Sequence, residues 1–328
     1  MKKNTKMWAI LLHLSPDMWW DTKYNCIPWD EETWNLVLKN AVDAGFNTIV
    51  LDVGNGVEFS SHPELAISGT WPQEKLRKEI RRCNELDISV IPKLNFSTTH
   101  DKWLGKYARM ISTEEYYRVC DDLIKEVYEL FDHPQYIHIG MDEENDFMQR
   151  NEAQIVIYRR DELLWHDLRF LVDSVKSTGA IPWIWHDLLF GNPEEFKKRF
   201  DPKELLVSPW YYRSFHEEHF EPMPDERQEE FGNLNLTYLE EGHFFANFRK
   251  QACPLAHDGF RYVPTASAWS NNPYNAYELM EHFENGAPDE SIVGYMTAPW
   301  SQTVPERLPR FERSFQWLKE AREKFYRD

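Results

Sequence analysis

Residues 135–144 read QYIHIGMDEE, a short apolar run closed by a glycine and followed by three successive acidic residues, Asp142, Glu143 and Glu144. The run does not alternate apolar with polar. Both faces of the strand it predicts are therefore buried, as in a parallel sheet covered on each side. Segments of helical period flank it at residues 113–131 and 155–177, the second stopped by Gly179. A doubly buried strand between two helices is one unit of an α/β fold.

The same unit recurs in both directions. Upstream lie a strand at 8–14 (WAILLHL), a helix at 31–44 with Trp34, Val37, Leu38 and Val42 at helical spacing before Gly45, a strand at 47–53 (NTIVLDV), a helix at 73–86 and a strand at 87–94 (DISVIPKL). Downstream, strands are predicted at 181–185, 205–210, 262–267 and 292–297, with helices around 194–200, 236–251, 274–285 and 307–325. Eight strands alternating with eight helical segments predict a single (β/α)8 TIM barrel over residues 1–328. The competing open, doubly wound sheet would carry a glycine-rich phosphate loop after its first strand, but residues 13–21 read HLSPDMWWD, without glycine.

Composition narrows the partners. The 37 Lys and Arg against 55 Asp and Glu leave a net charge of -18, which repels phosphate backbones and anionic membrane surfaces. No nucleic acid and no membrane are expected as partners, and no stretch approaches the ~20 apolar residues of a membrane helix. Fourteen Trp supply core packing and flat faces on which sugars can stack. Cys26, Cys83, Cys120 and Cys253 lie far apart with no C-x-x-C spacing, which disfavours a zinc knuckle and points to a reducing compartment. WAILLHL is short and lacks a following small-residue cleavage site, so it reads as strand rather than signal peptide, and the expected location is cytoplasmic.

Active sites of such barrels form at the C-terminal ends of the strands. The fourth end, HIGMDEE, is the most informative. Adjacent carboxyls at a barrel mouth repel one another and are partly desolvated, so at least one is raised and can protonate a glycosidic oxygen. The plain alternative is a solvated acidic loop. Many barrel glycosidases place a second carboxylate opposite the first, but the seventh end, TASAWS at 265–270, has none. One acid with one adjacent carboxylate suits a reaction in which the substrate's own 2-acetamido oxygen attacks the anomeric carbon.

His138, Gly140, Asp142 and Glu143 form H-x-G-x-D-E, and this segment resembles the fourth-strand motif of the family 20 glycoside hydrolases, the β-N-acetylhexosaminidases. The resemblance implies that Glu143 is the general acid/base and that Asp142 orients the acetamido group. It further implies an active-site His100 at the end of IPKLNFSTTH, and Trp185 with Asp187 (WIWHD), Trp210 (SPW) and Trp300 (APWSQ) as walls of a sugar pocket. The implied reaction removes terminal β-linked N-acetylglucosamine or N-acetylgalactosamine with retention, on a carbohydrate substrate and without cofactor.

The chain departs from that pattern at three strand ends. The first carries no Arg to grip sugar hydroxyls, the eighth has Gln302 where the family has Glu, and the seventh offers Trp269 in place of a Tyr, for which Tyr211 or Tyr212 could substitute from the sixth. With the first strand predicted from about residue 7, the family's small N-terminal α/β domain is not expected within this sequence. A metal-dependent barrel hydrolase, drawing on His13, His100, His138, His186 and Asp187, and a non-catalytic sugar-binding barrel are the competing readings. His216, Glu217, Glu218 and His219 begin a loop expected to be solvated or to cover the pocket, and Glu240 and Glu241 are expected on a solvent-facing helix face.

Overall fold

The computed structural model describes residues 2–3, 6–17, 25–144, 149, 157–216 and 245–327. The expectations for Glu217, Glu218, His219, Glu240 and Glu241 lie outside these residues, as does the start of the predicted helix at 155. Among the described residues the barrel strands are β1 Met7–His13, β2 Thr48–Asp52, β3 Ser89–Lys93, β4 Tyr136–Gly140, β5 Ile181–Trp185, β6 Leu206–Ser208, β7 in two pieces, Arg261–Tyr262 and Thr265–Ala266, and β8 Gly294–Thr297, while Lys2–Lys3 and Tyr326–Arg327 pair in a separate two-stranded sheet.

Each strand pairs in parallel with the next. Leu11 sits opposite Val50, Val50 opposite Ile91, Lys93 opposite His138, His138 opposite Trp183, Ile184 opposite Val207 and Val207 opposite Tyr262. The second piece of β7 pairs with β8, Ala266 with Thr297, and β8 returns to β1, Met296 with Ala9. The ring closes into the (β/α)8 barrel that the alternation predicts. β7 breaks at Val263-Pro264 because proline has no N–H for the ladder, while its carbonyl still accepts from Met296 N–H at 3.0 Å.

The helices are α1 Glu31–Asp43, α2 Gln73–Asn84, α3 Glu114–Leu130, α4 Asp161–Thr178, α5 Asp187–Gly191, α6 Pro193–Arg199, α7 Phe245–His257, α8 Asn275–Gly286 and α9 Leu308–Phe325. Asp30 caps α1 by accepting from Thr33 N–H at 2.7 Å, and Gly179 ends α4 at φ +100. The short α5 is absent from the sequence reading, because five residues are too few to express a helical period. None of the described helices is long and apolar enough to cross a membrane.

Strand side chains alternate between the barrel interior and the layer under the helices. Ala9, Leu11, Val50, Ile91, Tyr136, Trp183, Trp185, Leu206, Val263 and Met296 form the interior cluster. Ile10, Leu12, Ile49, Leu51, Ile137, Ile139, Ile184 and Val207 pack outward against the helices. Continuing the inward set to the strand ends places His13, Asp52, Lys93 and His138 in the top layer, all buried. The interior is apolar below and ionisable above, and that polar layer is the floor of the mouth.

Candidate active site

The floor is held by charge. Lys93 Nζ donates to Asp52 Oδ2, and His13 Nδ1 lies 3.5 Å from the same oxygen. Burial would raise Asp52, but the Lys93 ammonium and His13 outweigh it and bring the carboxyl down to about 2. Burial also lowers His13 to about 4, leaving a neutral imidazole stacked on Trp300 with ring centroids 5.5 Å apart. In the same layer, His138 lies against Trp185 at 4.7 Å, and its Nδ1 accepts from Gly140 N–H at 3.0 Å. Burial, aided by Lys93, holds His138 well below its ordinary value. His138 thus shapes the end of β4 from beneath.

The β4 end needs its glycine. A Cβ on Gly140 would approach Asn95 Oδ1 to 1.9 Å, and the residue sits at φ +75. Met141 at φ +67 and Glu143 at φ +57 are also left-handed, which for side-chain-bearing residues costs about 1–2 kcal/mol each. This backbone throws three successive carboxyls in separate directions. Asp142 Oδ1 accepts from Asn95 Nδ2 at 3.0 Å, and its carbonyl accepts from the Ser97 hydroxyl. Glu143 N–H donates to Asp187 Oδ1 at 3.3 Å. Glu144 leaves the mouth altogether and takes the Thr98 N–H at 2.7 Å.

His100 joins the first two carboxyls, with Nε2 3.4 Å from Asp142 Oδ2 and 3.1 Å from Glu143 Oε2. Burial opposes its charge, but Asp142 and then Glu143 raise it to about 10, so an imidazolium stands between the two carboxyls near neutrality. Burial, followed by the Asp142 charge, pushes Asp187 up to about 7 against the pull of the Trp210 indole N–H, which donates to Oδ2 at 2.9 Å. The carboxyl elevation expected within Asp142–Glu143–Glu144 is seen at Glu144, where burial is the main cause.

Aromatic rings make the opposite wall. Trp185 lies 5.7 Å from Trp300, Trp210 stacks on Tyr212 at 5.0 Å, and Tyr212 reaches Trp269 at 6.4 Å and Trp300 at 6.2 Å. Trp300 is itself left-handed at φ +49. Gln302 bridges to His13 at the β8–β1 seam.

Tyr211 requires a correction. It packs against Phe215 at 5.0 Å and Phe248 at 5.6 Å, in the layer behind the mouth. Tyr212 instead lies beside Asp142, Asp187 and Glu143, and its ring packs with Trp210, Trp269 and Trp300. Pro209 follows β6 and breaks the alternation, so the inward side could not be counted onward from Ser208. Asn95, Lys93 and Asp52 were missed as site-forming residues, although continuing the inward set of β2 and β3 by twos arrives at Asp52 and Lys93. His186 is buried beside Phe190 and lowered to about 3 by burial. Among the described residues no three His, Cys, Asp or Glu side chains are grouped to hold a metal.

Fold and mouth together define a parallel α/β barrel with paired carboxyls and a group of aromatic rings at the C-terminal ends of its strands. The sequence model of the glycosyl hydrolase family 20 catalytic domain matches residues 89–316, and the chain belongs to that family. The match starts at β3, beyond the β1 end that departs from the family pattern.

No curated protein sequence matches the chain. Among solved structures, the β-N-acetylhexosaminidase of Streptomyces coelicolor A3(2) is similar at TM-score 0.64 and 13% identity, covering 96% of this chain and 64% of that one. The exo-β-N-acetylglucosaminidase of Vibrio harveyi, in complex with N-acetylglucosamine, is similar at TM-score 0.58 and 15% identity, covering 98% and 59%. The chain thus spans about three fifths of the length of these structures.

Proposed function

We propose that the chain is a retaining glycoside hydrolase that removes terminal β-linked N-acetylhexosamine, using the substrate's acetamido oxygen as nucleophile. The observation that carries this is the divergence of two successive carboxyls, Asp142 held by Asn95 and His100, and Glu143 held by His100 and the Asp187 contact to its backbone. Asp142 accepts the acetamido N–H and turns the amide oxygen toward the anomeric carbon. Glu143 gives its proton to the leaving oxygen as the C–O bond breaks and the oxygen-to-carbon bond closes. Water then opens the cyclic intermediate, with Glu143 taking its proton back, so two displacements leave the configuration unchanged. Trp210, Tyr212, Trp269 and Trp300 offer the apolar enclosure that a sugar ring and acetamido methyl need, with the fully buried Trp185 packed behind Trp300, and the departures at the β1 and β8 ends bear on which hydroxyls are read.

Aryl β-N-acetylglucosaminide, aryl β-N-acetylgalactosaminide and the matching non-acetylated glycosides should be compared in wild type and Glu143→Gln. Turnover confined to the acetamido sugars, β-anomer released first by NMR, and a fall of roughly 10²–10⁴ in the variant are expected. Inverted product, or equal turnover of plain glycosides, would sink the mechanism. Binding without turnover by wild type would favour a carbohydrate-binding barrel.

A further inference from the structure

Glu144 follows the acid directly in sequence, yet none of the chemistry above uses it. Its side chain is fully buried, with Oε1 accepting from Thr98 N–H at 2.7 Å and Oε2 from the Thr98 hydroxyl at 3.0 Å. Arg159, equally buried, brings Nη1 to 3.5 Å from Glu144 Oε1. The same guanidinium donates to the Phe96 carbonyl at 3.1 Å and the Tyr116 hydroxyl at 2.9 Å, and its Nε lies 3.2 Å from Asp167 Oδ2. One arginine therefore ties the β4 end to the β3 loop, to α3 and to α4.

This clamp closes on the segment that most needs it. Gly140, Met141 and Glu143 are left-handed, and a backbone of that kind persists only where its surroundings over-determine it. Asp142 is restrained through Asn95 and Ser97 on the same β3 loop that carries Thr98. Among the described residues the Glu143 backbone is held by a single long contact, 3.3 Å to Asp187, so the direction of its side chain leans on where residue 144 is anchored. A solvated acidic loop would not bury this third carboxyl against an arginine.

We propose that Glu144, clamped by Thr98 and Arg159, is a positioning residue that aims the Glu143 carboxyl at the leaving-group oxygen. The inference rests on the role proposed for Glu143. It predicts a loss that depends on the leaving group, because a misdirected acid matters only where the departing oxygen needs a proton.

The test compares Glu144→Gln and Arg159→Lys with wild type on two β-N-acetylglucosaminides, one bearing a 2,4-dinitrophenyl group that departs unaided and one bearing a methyl group that does not. The expected result is a fall in kcat of about 10–100-fold on the methyl glycoside, under about 3-fold on the dinitrophenyl one, with KM little changed. Glu143→Gln should give the same pattern more steeply. Equal losses on both substrates in a variant that keeps its thermal transition would make Glu144 merely structural and overturn the proposal, as would no loss on either. If one substitution prevents folding, the other still decides. Failure of Glu143→Gln to discriminate the leaving groups would instead remove the role of Glu143 itself.

Discussion

Two aspartates at the mouth, one on the β1–β3 side and one after β5, have opposite fates. Asp52, on β2, is buried but touches Lys93 and His13, and its carboxyl is drawn down to about 2. Asp187, after β5, accepts from the Glu143 N–H and the Trp210 indole N–H, and burial followed by the Asp142 charge raises its carboxyl to about 7. Burial acts upward on both. The sign is decided by whether a cation is within reach, and the β3 side has Lys93 where the β5–β8 side has tryptophans.

Removing that cation should have the largest effect. Lys93→Met strands the Asp52 carboxylate in the barrel interior, and a loss of about 3–5 kcal/mol is expected in denaturant unfolding at pH 7. The pH dependence should also reverse. In wild type, Asp52 is depressed, so its contribution is present above its unfolded value near 4 and is lost as pH falls through about 2. In the variant burial acts unopposed by the ammonium, so stability should rise on acidification from pH 7 to 4. A loss below about 1 kcal/mol would mean that charge does not separate the two aspartates.

Asp187 provides the converse. Its raised carboxyl favours folding below its unfolded value near 4, and that contribution is lost as pH rises through about 7. Because the side chain is partly exposed, solvent screens part of this effect and leaves on the order of 2 kcal/mol between pH 4 and 8. Asp187→Asn should abolish that slope, and with it any limb near pH 7 in the profile of kcat/KM. A limb that persists in the variant would belong to another group.

The smallest effect tests the aromatic wall. Tyr212→Phe removes a hydroxyl beside the mouth carboxyls and should lower kcat/KM by about 10-fold, roughly one hydrogen bond to substrate. Tyr211→Phe should change kcat/KM by less than about 2-fold, since its ring packs among Phe215 and Phe248. Equal effects from the two would undo the assignment of Tyr212 to the mouth.

Strand ends were legible because a doubly buried strand carries a strong local signal, and H-x-G-x-D-E located the acid pair without any knowledge of its partners. Asn95 was not legible. It touches Asp142 across 47 positions only because β3 and β4 are neighbours and Gly140 lets them close. Nor could the acidic run be partitioned. Asp142 and Glu143 face His100 while Glu144 turns to Arg159, a choice made by left-handed backbone angles that three like side chains do not announce.

Local periodicity thus determined the barrel and the end of it that carries chemistry, since the alternation of strand and helix is written in residues a few positions apart. The residue types at those ends determined that the mouth would be acidic and aromatic. Tertiary structure alone decided which carboxyl meets a cation, which turns away from the mouth, and which of two adjacent tyrosines joins the wall. Those outcomes follow from distances of a few ångströms between distant parts of the chain, and electrostatic energy in a buried site depends on those distances rather than on sequence separation.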